Sequence, residues 1–196
     1  VYEEKNMSLT RDNSKVQEAI FSSLFPKHPY GTQTVLGTQE NLKNPSITNI
    51  KNYYKQWYVP NNMAICMSGD LDPDATIALI DKYFGGLKPN PELPKLDLPK
   101  EAPITQPVVK EVLGPDAESV ALAWRFPGVS DKDFEILQVV SQVLYNGKAG
   151  LIDLDLNQQQ KVLNSYGYPM GLADYSALLL GGLPKQGQTL EEVKDL

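Results

Sequence analysis

Residues 52–87 read NYYKQWYVPNNMAICMSGDLDPDATIALIDKYFGGL, and their punctuation decides the fold. Tyr53, Tyr54 and Trp57, with Ile50 just upstream, fall at helical spacing. Val59-Pro60-Asn61-Asn62 closes that helix, because proline cannot continue one and asparagine tolerates turn geometry. Met63 to Ser68 is then a short apolar run bounded by turns, the pattern of a buried strand, in which Cys66 is expected to be a buried small hydrophobe. Gly69-Asp70-Leu71-Asp72-Pro73 turns the chain again. Asp72 is placed to cap the next helix and Pro73 to occupy its first position. That helix, 73–84, directs Ile77, Leu79, Ile80, Tyr83 and Phe84 toward a core, and Gly85-Gly86 ends it.

Working upstream, Pro45-Ser46-Ile47-Thr48 opens the helix of Tyr53 and Trp57. Residues 32–45 are a polar loop. Two helices precede it. The first runs from Val1 to about Arg11. Asp12-Asn13-Ser14 break and recap the chain, and the second helix puts Val16, Ala19, Ile20, Ser23 and Leu24 on one face. Phe25-Pro26-Lys27-His28-Pro29-Tyr30-Gly31 ends it with turn residues.

Working downstream, residues 87–107 hold six prolines, which exclude a helix or sheet interior and indicate an extended linker. Beyond it, Val108 to Leu113 and Ser119 to Phe126 read as strands. Ser130 is positioned to cap a helix running to Tyr145 that carries Phe134, Leu137, Val140, Val143 and Leu144, and Asn146-Gly147 stops it. A further helix spans about Gly150 to Gln160. Val162 to Met170 and Ala177 to Leu183 read as strands, and Thr189-Leu190-Glu191-Glu192 opens a last helix. The class is α+β or mixed α/β rather than a doubly wound parallel sheet. The first residue is not an initiator methionine, and both ends fall within helical patterns, so the sequence reads as an internal section of a longer polypeptide whose missing part lies upstream.

Composition narrows the function. Lys plus Arg is 18 and Asp plus Glu is 24, a formal charge of −6, with no basic stripe, which argues against nucleic acid. No apolar stretch is long enough for a bilayer span. The lone Cys66 can form no internal disulfide and anchor no cysteine-rich zinc site. There is no phosphate-binding glycine loop, no G-x-S-x-G and no Cys–His pair.

Three stretches, in this order, resemble the pitrilysin/insulinase family of zinc metallopeptidases. One is residues 52–87. The second is HPYGTQTVLGTQENLKN at 28–44, similar to the family's His-Pro-Tyr-Gly loop. The third comprises VALAWRFPG at 120–128, DFEILQVVSQVLYNG at 133–147 and LPKQGQTLEEV at 183–193, similar to the opening of the family's next repeat. The resemblance covers essentially the whole chain. It implies the C-terminal part of one α+β repeat over 1–88, a Pro-rich linker over 89–107, and the N-terminal part of a second, silent repeat over 108–196.

The family is an inverted zincin. H-x-x-E-H supplies two histidine ligands and a glutamate base, and a glutamate from a distant helix is the third ligand. Water on zinc then attacks the scissile carbonyl, and substrate peptide adds as a strand to a sheet edge. This chain has no H-x-x-E-H, and His28 is its only histidine. Val1-Tyr2-Glu3-Glu4 matches the end of the third-ligand helix and places that ligand at Glu4; Glu3 lies about 100° away around the helix. From the residues alone, both are solvated helix-start carboxylates. His28 sits where the family has a loop histidine that is not a ligand.

In the second repeat, Gln138, Ser141 and Gln142 stand where His, Glu and His would be, and none is a good ligand or base. Asp131 with Asp133, and Asp153 with Asp155, read as helix-start charge and a solvated face. The resemblance thus implies zinc in the parent enzyme and none bound by this chain alone. It implies a parent endopeptidase for unfolded peptides in which this chain is scaffold and chamber wall, inactive by itself. A non-catalytic binding or assembly subunit is the alternative. Expected partners are peptide substrate, the upstream and downstream parts of the same polypeptide, and a second copy through a sheet edge left open at Met63. Bacterial relatives make the periplasm the expected compartment.

Overall fold

The computed structural model describes residues Val1–Leu196. The chain divides into two compact units. One comprises Val1–Lys5 with Val35–Pro99, the other Asn6–Thr34 with Lys100–Leu196. Helix α1, Tyr2–Leu9, runs across the boundary in sequence. No helix is long and apolar enough to cross a membrane.

The second unit contains the only sheet, which is antiparallel, three-stranded and ordered β1-β3-β2. Its strands are β1 (Val120–Pro127), β2 (Asn164–Gly171) and β3 (Tyr175–Leu183). β3 is central, with Ala123 and Tyr168 both opposite Leu179, and Arg125 and Met170 both opposite Ala177. Helix α2 (Asp12–Leu24) covers one face, where Leu24 and Phe25 form the core with Ala177 and Leu179. Phe25 is fully buried, which contributes roughly 2–3 kcal/mol. Helix α7 (Lys132–Leu144) covers the other face. It comes so close to β2 that a Cβ on Gly171 would lie 2.6 Å from the Phe134 ring and from Val129. β3 is therefore sandwiched, which explains its near-continuous apolar run. The chain closes with α8 (Leu190–Lys194), started by a capping box in which Thr189 and Glu192 satisfy each other's backbone N–H.

The first unit is helical. It holds α4 (Gln39–Lys43), α5 (Ile47–Trp57) and α6 (Pro73–Phe84), capped by Thr38, Ser46 and Asp72. The turn at Pro60–Asn62 is tied to the proline-rich stretch. Asn61 donates to the Asn90 carbonyl at 2.7 Å, and the Asn90 N–H returns to Asn61 Oδ1 at 2.9 Å.

Several expectations are corrected. Met63 to Ser68 is extended but pairs with no strand, and Cys66 is exposed rather than buried. An apolar run becomes a ladder only where an edge faces it, and this unit has no other strand. For the same reason the apolar face of α6 is open, with Ile77, Leu79, Tyr83 and Phe84 exposed. Val108 to Leu113 is unpaired too, with Val109 and Leu113 largely in solvent. The polar loop 32–45 contains α4 and the end of α3 (Pro29–Thr32), because His28 and Thr38 act as caps. The cap of α7 is Asp131 rather than Ser130. Asp12 lies inside α2 instead of breaking the chain before it. The helix expected from Gly150 is a short helical stretch dominated by the π-turn Asp153–Asn157.

Candidate metal-ligand helix and the buried histidine turn

Helix α1 starts with Glu3 and Glu4 in its first turn, where the helix dipole favours carboxylates. The Glu4 side chain is 68% exposed, and its Oε2 lies 3.3 Å from the Val1 amino group. It is thus a surface carboxylate that another group can approach. Nothing in the chain completes a metal site around it, since no three His, Cys, Asp or Glu side chains converge anywhere. A protein zinc centre takes at least three such ligands, so these residues fit one ligand of a centre and not the centre itself.

The positions on α7 that would align with a metal motif are ordinary helix positions. Ser141 is buried, its carbonyl accepting the Tyr145 N–H at 2.7 Å, while Gln138 and Gln142 are exposed. Asp131 accepts the Asp133 N–H at 3.0 Å as the helix cap.

Asp153 departs from the solvated face assigned to it. It is buried, and its Oδ2 accepts the N–H groups of Asn146, Gly147 and Gly150 at 3.0, 2.9 and 3.1 Å. Burial alone would push its carboxyl up; the N–H groups of Asn146, Gly150, Gly147 and Lys148 together outweigh that and hold it below the usual range. The carboxylate is an internal anion in a nest of loop amides. The Asn146-Gly147 turn, with Gly150 just before the acid, was the available sequence signal.

His28 is the other chemically distinctive residue, and it is 1% exposed. It caps α3: its Nδ1 accepts the Tyr30 N–H at 3.2 Å. Nδ1 therefore carries the lone pair, and the ring proton sits on Nε2. Nε2 is buried without a hydrogen bond and faces Asp174 Oδ2 at 3.5 Å. The rings of Tyr30 and Tyr175 stand edge-on to the imidazole, 4.2 and 5.3 Å away between centroids. His28 thus lies in the turn between α2 and α3 with its ring directed inward.

Around it lies a polar knot that sequence reasoning missed. Glu101 Oε1 accepts the backbone N–H groups of Lys27 and His28, both at 2.7 Å. Its own N–H donates to the Tyr175 hydroxyl at 2.8 Å. Arg125 donates to the carbonyls of Leu24 and Ala102, lies 3.8 Å from Glu101 Oε2, and stacks over the Tyr175 ring. Gly31 lets α3 fold back over α2; a Cβ there would lie 2.3 Å from the Phe25 carbonyl oxygen and 2.4 Å from that of Phe21. No local pattern marks these partners. Glu101 is one acid in a proline-rich stretch.

Residues 46–195 match the family profile described as the peptidase M16 inactive domain. The zinc protease PqqE of Helicobacter pylori is 28% identical over 171 residues, covering 84% of this chain and 38% of that protein. The crystal structure of a protease from Helicobacter pylori superposes with a TM-score of 0.80 at 24% identity, over 99% of this chain and 48% of that one. The first half of the periplasmic protease PqqL from Escherichia coli gives 0.68 at 18% identity, over 99% of this chain and 47% of that one. The chain thus spans less than half the length of each.

Proposed function

Because residues 46–195 match its inactive domain, the chain belongs to the peptidase M16 family, and from that membership we propose that it is the scaffold and chamber-wall section of a zinc endopeptidase acting on unfolded peptides. In this reading Glu4 is the carboxylate ligand that the section lends to a zinc ion held otherwise by residues outside it. Residues 1–88 close the metal-bearing repeat, 89–107 link, and 108–196 open the silent repeat.

The observation that carries the reading is the match of residues 46–195 to the peptidase M16 inactive domain. Glu4 is an exposed carboxylate in the first turn of α1, next to Glu3, where another group can approach it. The one histidine is sealed in the knot with Nδ1 already engaged, so it is not free to serve as a ligand. The silent repeat offers Gln138, Ser141 and Gln142 where chemistry would be needed. The zinc assignment draws support from relatives named as zinc proteases. The partners of the section are then the remaining parts of the same polypeptide and, in the complete enzyme, the peptide. The unpaired extended segment at Met63 is where the section taken alone would meet a second copy.

The test is a cleavage assay on an unstructured fluorogenic peptide. The 196-residue chain is expected to give no turnover with or without added zinc. A polypeptide extended upstream is expected to give turnover that a chelator abolishes. Turnover by the chain alone, or an extended protein that binds the peptide but never cleaves it, would overturn the endopeptidase reading; the second result would favour a binding subunit.

A further inference from the structure

His28 stands between two incompatible sets of partners. On one side, Nδ1 accepts the Tyr30 N–H and thereby caps α3. On the other, Nε2 faces the Asp174 carboxylate, half-exposed and 3.5 Å away, without a bond being made. An imidazolium has a proton on both nitrogens and no acceptor. Once charged, the ring cannot accept the Tyr30 N–H in any orientation, because a ring flip only exchanges one N–H for the other. The charge would instead pull Asp174 into an ion pair.

Other groups around the ring set how far that exchange goes. From α3, the Tyr30 hydroxyl already donates to Asp174 Oδ2 and accepts the Asp174 N–H, both at 3.3 Å. From β3, Tyr175 presents its ring edge-on, as Tyr30 does from α3. From residues 100–102, Glu101 holds the His28 backbone through Oε1. From β1, Arg125 is the opposing positive charge, turned toward Glu101 and the Tyr175 ring. The surroundings thus offer a charged ring an acid partner, while the helix cap is lost. That is a choice between two arrangements rather than simple collapse.

We propose that His28 is an acid-operated clasp: protonation exchanges the cap of α3 for an ion pair with Asp174 and loosens residues 28–32 from the sheet. The clasp is closed when the ring is neutral and Nδ1 accepts the Tyr30 N–H, and it opens when the ring takes a second proton.

The test uses the 196-residue chain and its amide spectra between about pH 8 and pH 5. Protection of the Tyr30 amide, corrected for intrinsic exchange, is expected to fall roughly two- to thirtyfold across one transition, the range that loss of a helix cap allows. The ring nitrogens of His28 should titrate at the same midpoint. His28→Asn keeps a side-chain acceptor two residues before the Tyr30 N–H and carries no titrating ring, so its Tyr30 protection should stay flat. Asp174→Asn should move the wild-type transition to lower pH. Constant Tyr30 protection in the wild type would overturn the proposal, as would a transition that persists in His28→Asn. Should His28→Asn fold poorly, the wild-type ring decides: a His28 titration out of step with the Tyr30 amide contradicts the clasp.

Discussion

The His28 backbone N–H donates to Glu101 Oε1 at 2.7 Å, across 73 residues of sequence, and the same oxygen takes the Lys27 N–H. Two amides left over after α2 are thus satisfied by one acid from the proline-rich stretch. The Glu101 side chain is 2% exposed. Removing it leaves two N–H groups and the Arg125 guanidinium short of a partner. Glu101→Ala is expected to cost about 3 kcal/mol, in line with the loss of buried hydrogen bonds to a charged group. Urea unfolding followed by circular dichroism measures it, and a loss within about 0.5 kcal/mol would place the knot among dispensable surface contacts.

Gly31 gives a second, steric test. A methyl group there meets two backbone carbonyls and not a side chain that could swing away. Gly31→Ala is expected to destabilise by about 2 kcal/mol or more. The Tyr30 hydrogen bond to Asp174 should be lost with it, since both depend on α3 lying across α2. A thermal melt near that of wild type would show that the close approach is not needed.

Asp153 gives a pH test whose sign is fixed. Its folded-state carboxyl is held below the ordinary range, so its contribution is fully present above the unfolded value and is lost as pH falls through the folded one. Asp153→Asn should therefore be less stable than wild type at neutral pH. The gap should narrow in acid, below the ordinary carboxylate range near pH 4. Paired denaturant curves at neutral and acid pH check this; a gap that is constant with pH would mean that the amide nest does not depend on the charge.

Met63, Ile65 and Met67 alternate along an unpaired extended segment, all of them exposed. Such a segment is a template for pairing. The isolated chain is expected to self-associate at tens of micromolar, and Ile65→Lys to reduce that association. Sedimentation velocity decides, and a strictly monomeric wild type would contradict it.

Most local structure was legible in the sequence because its causes are local. Asp72 before Pro73, Ser46 before Ile47, and Thr189 three residues before Glu192 each announced a helix start, and each one caps. The three strands of the sheet carried their own alternation or apolar run. What failed had causes elsewhere. Met63 to Ser68 and Val108 to Leu113 have a strand's composition, but pairing depends on an edge that composition cannot reveal. Ser130 and Asp131 are both good caps, and only backbone geometry chooses between them. The knot of Glu101, Arg125, Tyr175 and His28 was invisible because its bonds join distant residues of unlike type. The proposal of Glu4 as a ligand rests on resemblance, since a pair of glutamates at a helix start is ordinary.

Glu4 is proposed as one ligand of a zinc centre whose other ligands lie outside this chain. The most direct measurement is zinc affinity, by competition with a chromophoric chelator, for the upstream-extended protein with Glu4 and with Glu4→Gln. The unextended 196-residue chain serves as the reference. One tight zinc is expected in the extended protein, with at least about a hundredfold weaker binding after Glu4→Gln with unchanged circular dichroism, and no submicromolar site in the reference chain. Unchanged affinity in Glu4→Gln, or stoichiometric submicromolar zinc on the reference chain, would contradict this proposal.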